Sequence, residues 1–120
     1  MSRIDKILNE SQTLIDGVSE FVSPVEEATV CHKNDGFGII VMIFSKDHTP
    51  PHAYAFTNEM VFKGRFELRN SAPTNASSVV EYRDVIDPTI KTKIAAWAQG
   101  TKMGVSNWLA AKIVWSSLHP

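Results

Sequence analysis

The chain has 120 residues, of which 43% are apolar and 21% charged, and its net charge is −1. This is an ordinary globular composition, and it excludes a whole-molecule electrostatic case for binding nucleic acid or membrane. The length suits one domain with a core of its own and little to spare.

Charge is unevenly placed. Residues 1–30 hold Arg3 and Lys6 against six acidic side chains, whereas residues 60–120 hold eight basic residues against four acidic ones. Cys31 is the single cysteine, so no intrachain disulfide is expected. That fits a reducing compartment, and the expected location is cytoplasmic. The amphipathic, acidic N-terminal stretch does not read as a signal peptide, and the longest apolar run, residues 37–44, is too short to span a bilayer. No membrane partner is expected.

Residues 2–16 predict a helix. Ser2 and Asp5 make a capping-box-like start, and Ile4, Ile7, Leu8, Leu14 and Ile15 recur at helical spacing. Residues 1–26 are thus expected to form an N-terminal helical extension to a single α+β domain over 27–120. Residues 27–33 predict a strand, Asn34-Asp35-Gly36 a hairpin turn, and 37–45 a second strand. In this second strand Ile39, Val41 and Ile43 alternate with Ile40, Met42 and Phe44. Both faces are apolar, so the strand should be central and covered on both sides.

Residues 46–51 predict a stiff loop, because Pro50 and Pro51 fix their own φ and cannot continue a ladder. Residues 52–57 predict a third strand, with His52, Tyr54 and Phe56 on one face and Ala53 and Ala55 on the other. Residues 60–69 predict a fourth, with Met60, Phe62, Phe66 and Leu68 opposed to Lys63, Arg65, Glu67 and Arg69; Gly64 marks a bulge or a close approach. Residues 70–78 are a loop and 79–86 a fifth strand. Asp87-Pro88 starts a helix that Gly100 ends. A last helix runs to about residue 118 from a start at Thr101 or Ser106. The expected fold is therefore α+β, with a mainly antiparallel sheet of about five strands, one N-terminal helix and two C-terminal helices.

The stretch Asp47-His48-Thr49-Pro50-Pro51-His52-Ala53-Tyr54-Ala55 resembles the signature of a small bacterial family, number 4160 in the domain-of-unknown-function series. Val85-Ile86-Asp87-Pro88, Trp97 and Asn107-Trp108 agree with its layout, so the likeness covers roughly residues 37–115. Family members usually carry a second histidine where this chain has Tyr54. The resemblance implies a small protein of toxin–antitoxin-like two-gene arrangements, and it implies no reaction.

Three chemistries use these residues. Asp47, His48 and His52 are metal-ligand types, but four residues along an extended Pro-Pro path span about 12 Å. No metal and no cofactor are expected. His48, His52 and Tyr54 are the candidate catalytic residues; with Lys63 or Arg65 across the sheet they could line a ribonuclease-like cleft, which needs a base, an acid and a cation. Lys63, Arg65, Arg69 and Arg83 form a candidate nucleic-acid-binding row, for which a solvated strand face is the plainer account. Trp97, Trp108 and Trp115 are expected in the core. The favoured reading is a non-catalytic interaction module that forms a homodimer or binds a small protein partner through its second sheet face and N-terminal helix. The alternative is a small ribonuclease or toxin-like enzyme.

Overall fold

The structure is a computed structural model that describes residues 28–32 and 36–120, the first of these segments by its backbone. The predicted helix over 2–16 lies outside the described residues. Four antiparallel strands follow one another as a meander: β1 (Ala28–His32), β2 (Ile40–Phe44), β3 (His52–Phe56) and β4 (Phe62–Glu67). β2, β3 and β4 form the body of the sheet, and β1 joins the free edge of β2. Two helices follow, α1 (Pro88–Gln99) and α2 (Asn107–Leu118), joined by a ribbon of two short strands, β5 (Thr101–Lys102) and β6 (Val105–Ser106). Among the described residues, no helix is long and apolar enough to cross a membrane.

β2 is buried at every position, as its double apolar alternation requires. Ile39, Val41 and Ile43 face a first core with Ala53, Ala55, Phe66 and both helices. Ile40, Met42 and Phe44 belong to a second cluster with Phe56, flanked by Tyr54, Met60 and Phe62. Trp97, Trp108 and Trp115 all lie in the first core.

Two expectations need correction. The single sheet of about five strands is instead a smaller main sheet and a separate two-stranded ribbon. Residues 79–86 are not a strand: their pairing with β4 is one bridge, Phe66 to Glu81, held by bonds from Glu67 N to Val80 O and from Tyr82 N to Arg65 O, each 2.8 Å. The physical reason lies in the next two residues. Arg83 takes φ 63°, which turns the chain off the ladder. The Asp84 carboxylate then accepts from the Arg65 backbone N–H (3.0 Å), and the Glu81 carboxylate from the Ile86 N–H (2.6 Å). Side chains thus occupy donors that a fifth strand would have paired.

The second correction concerns β4. Its even-numbered apolar residues do not share one face. The β3–β4 register shifts between Ala55, opposite Gly64, and Phe56, opposite Phe62, so Lys63 is the additional residue of a bulge. Phe62 therefore packs with the second cluster and Phe66 with the first.

The helix boundaries follow from their caps. Asp87 accepts from Ile90 N (3.0 Å) ahead of Pro88. Ser106 accepts from Leu109 N (3.1 Å) and starts α2, which leaves Thr101 to the ribbon. The ribbon turns at Met103-Gly104, both with positive φ, as a two-residue hairpin requires.

Gly64 gives a direct test of the bulge. Its φ is 136°, and a Cβ there would lie 2.6 Å from Ile86 Cγ1. Gly64→Ala is expected to cost about 2–4 kcal/mol through combined backbone strain and overpacking, read as a lower urea midpoint.

Candidate functional site

Three elements converge at one end of the second sheet face. β3 supplies His52 and Tyr54, the preceding loop supplies Asp47 and the Pro50 carbonyl, and β4 with the chain after its bridge supplies Arg65, Tyr82 and Asp84. The register brings them together: His52 stands opposite Glu67, and Tyr54 opposite Arg65. Residues directly opposite share a face. The bulge at residue 63 is what leaves Arg65 on the Tyr54 side while Phe62 closes the apolar half.

His52 is the inner member, only 3% exposed. Its Nδ1 lies 2.8 Å from the Pro50 carbonyl, which can only accept, so the proton sits on Nδ1. Nε2 lies 3.2 Å from Asp47 Oδ2. That oxygen is buried and has no hydrogen bond of good geometry, so the contact is an off-line approach. The ring stacks on Tyr82 (centroids 4.2 Å, 25° between planes) and leans on Trp115 (5.4 Å). Nδ1 is thus committed to the Pro50 carbonyl, and the ring as a whole is enclosed by Tyr82, Trp115 and Asp47.

Tyr54 donates its hydroxyl to Asp47 Oδ1 (3.3 Å). Burial and the neighbouring Asp47 charge push its phenol above the ordinary tyrosine value, against the opposing pull of Arg65. A phenol so placed stays protonated and serves as a donor, which suits it poorly to the role of a base. Arg65 makes a two-pronged pair with Asp84, Nε to Oδ2 at 2.6 Å and Nη2 to Oδ1 at 3.0 Å. This pair raises the guanidinium's pKa and holds the Asp84 carboxyl below its usual value. The Arg65 guanidinium also lies 5.7 Å from the Tyr54 ring centre and 5.9 Å from that of Tyr82. A continuous polar line therefore runs Asp84–Arg65–Tyr54–Asp47–His52–Pro50 across the sheet.

The candidate catalytic residues separate. His52 and Tyr54 meet at Asp47, but His48 is exposed in the loop and makes no polar contact with any of them. A general base needs a ring nitrogen within reach of substrate, and His52 offers none at its surface. Among the described residues no cluster of three or more His, Cys, Asp or Glu has the geometry of a metal site.

The basic row is divided as well. Arg65 is bound to Asp84, Arg69 pairs with Glu67 at 3.3 and 3.4 Å, and Arg83 lies over Tyr82 at 5.1 Å. Lys63, in the bulge, is half-buried and has no ion pair among the described residues. Two partners were not legible beforehand. Tyr82 and Asp84 fall in a segment whose β-like composition conceals a turn, and the signal that could have exposed them is Asp84 directly after Arg83, a short polar side chain suited to a turn.

The Arg65–Asp84 pair sets an acid-side dependence. A carboxyl depressed by folding contributes stability above its unfolded value near about pH 3.9, lost as pH falls through the folded value. Asp84→Asn is therefore expected to lower the urea midpoint at pH 7, with a difference from wild type that shrinks at pH 3. His52→Ala is expected to lose about 2–4 kcal/mol, because it opens a cavity beside Tyr82 and Trp115 and leaves the Pro50 carbonyl without its donor; equilibrium denaturation measures this directly.

No protein-family model matches the chain, and neither the comparison with curated proteins nor that with solved structures found a match.

Proposed function

We propose that the chain is a non-catalytic interaction module that pairs with a second copy of itself through the outer side of α2. The observation that carries this reading is an apolar stripe. Leu109 and Ile113 stand four residues apart on α2 and are 49% and 56% exposed, and Val105, in β6 just ahead of the Ser106 cap, is 40% exposed. Residues at that spacing on a helix share a side. Met103, at the tip of the β5–β6 ribbon, is also exposed. Contiguous exposed apolar surface on a small domain marks an interaction site.

The second copy is the occupant because of the charge pattern. α2 carries one charged residue, Lys112, whose ammonium donates to Asn70 Oδ1 at 3.1 Å. With that ammonium drawn toward Asn70, two such helices laid side by side oppose no other like charges, so the surface suits itself. The second sheet face, offered by the sequence as the docking surface, is buried at Ile40, Met42, Phe44 and Phe56. On α2, by contrast, Leu109 and Ile113 are exposed.

The burial of His52 and the engagement of its nitrogens support a structural over a catalytic role for the Pro50-Pro51-His52 step. The same step supports assignment to domain-of-unknown-function family 4160, a membership that is itself part of the proposal, as is a partner role in a two-gene arrangement.

Size-exclusion chromatography with light scattering over a range of concentrations tests the reading. A mass near twice that of the monomer is expected for wild type, and the monomer mass for Leu109→Lys/Ile113→Glu with unchanged circular dichroism. A strict monomer at every concentration overturns it. A second, different polypeptide that co-purifies stoichiometrically would assign the stripe to that partner.

A further inference from the structure

Between the two partners of the Phe66–Glu81 bridge the chain leaves β4 and returns, enclosing a cleft of about 380 Å³ between Arg69 and Val80. This lies toward the small end of ligand-site volumes, room for one side-chain-sized body and too little for a large cofactor. Trp108, Val80, Ala72 and Pro73 line it with apolar surface, and Glu67 and Arg69 bring charge to it.

The walls are held before any ligand arrives. Trp108 is fixed by its indole N–H, which donates to the Arg69 carbonyl at 2.7 Å. The Pro73 carbonyl accepts from Gln99 Nε2 (2.9 Å). Asn75 and Ser78 close a capping box around the 3₁₀ turn Ala76–Ser78, with Ser78 Oγ accepting from Thr74 N (3.0 Å) and Asn75 N (3.2 Å). A preformed site avoids the ordering cost of binding.

The charged pair is loose by comparison. Arg69 meets Glu67 at 3.3 and 3.4 Å, and its side chain is 60% exposed. Exposed pairs of this kind contribute little, about 0–1 kcal/mol, so a ligand can open the pair at small cost. What replaces it must answer both charges. A simple anion on Arg69 would face the Glu67 carboxylate, and a simple cation on Glu67 would face the guanidinium.

We propose that this cleft binds a free α-amino acid with an apolar side chain. Its carboxylate accepts from the Arg69 guanidinium, its ammonium donates to the Glu67 carboxylate, and its side chain lies against Trp108 between Ala72 and Val80. The exchange leaves net charge unchanged and covers apolar surface that is open in the unliganded chain. This site is separate from the α2 stripe, and its test does not depend on self-association.

The test uses the full chain with L-phenylalanine and L-leucine as probes, followed by the NMR signals of the Trp108 indole N–H and of residues 69–80, with affinity from calorimetry. Shifts confined to those signals are expected. Blocking both ends, in N-acetyl-phenylalanine amide, is expected to weaken binding by at least about tenfold. N-acetyl-phenylalanine and phenylalanine amide, which mimic peptide termini, should each bind more weakly than the free amino acid. Arg69→Gln, at an exposed position, and the isosteric Glu67→Gln, at a half-buried one, should each weaken phenylalanine by about tenfold, which corresponds to about 1.4 kcal/mol. The proposal is overturned by an absence of shifts, by shifts that map elsewhere, by blocked or half-blocked compounds that bind as well as the amino acid, or by variants with unchanged affinity.

Discussion

The structure depends on β2 being buried on both faces. A strand with apolar side chains up and down cannot sit at the surface of a small domain, and the whole arrangement follows from covering it twice. Ala53 and Ala55, with no side chain beyond Cβ, allow α1 and α2 to close over one face together with Ile39, Val41 and Ile43. The other face gathers Ile40, Met42, Phe44 and Phe56. Tyr54 lies at the border of that second cluster, where apolar packing gives way to the Asp47–His52 and Arg65–Asp84 contacts.

That border explains why residue types associated with catalysis occur here without an open site. The chain must leave β2, reverse across Pro50 and Pro51, and enter β3 with His52 pointing to the border. The Pro50 carbonyl accepts from the Nδ1–H, Asp47 lies against Nε2, and Tyr82 covers the ring. A histidine so enclosed joins three segments: the loop, β3 and the chain after β4. Tyr54 extends the line to Arg65. His52 donates to the Pro50 carbonyl, Tyr54 to Asp47 and Arg65 to Asp84, so most of these polar groups are turned to one another. The surfaces we propose for binding, the α2 stripe and the cleft beside Trp108, lie elsewhere.

The polar groups of the site were readable as types, and their partners were not. Arg65 opposite Tyr54 follows from strand register, one of the two alternatives the alternation allowed. That Arg65 is bound to Asp84 depends on Arg83 turning the chain at φ 63°, and Val79-Val80-Glu81-Tyr82 gives no local sign of it, since its composition suits a strand. The same holds for His48 and His52. Both flank the Pro-Pro step, yet one is enclosed by Tyr82 and Trp115, which are distant in sequence, and the other is not.

By itself the sequence determined the α+β class, the two-faced second strand, the stiff loop after it, the helix start at Asp87-Pro88 and the core placement of the tryptophans. These are local: they rest on side-chain period, on the fixed φ of proline and on cap chemistry, all of which act within a few residues. Only the tertiary structure decided that β4 changes face at its bulge, that 79–86 yields a single bridge, and that Leu109 and Ile113 of α2 are exposed while Ile40, Met42 and Phe44 of the sheet are buried. Each of these turns on a long-range contact: Gly64 against Ile86, Asp84 against Arg65, Lys112 against Asn70. Periodicity reports which side chains share a face, but the element that covers that face comes from elsewhere in the chain.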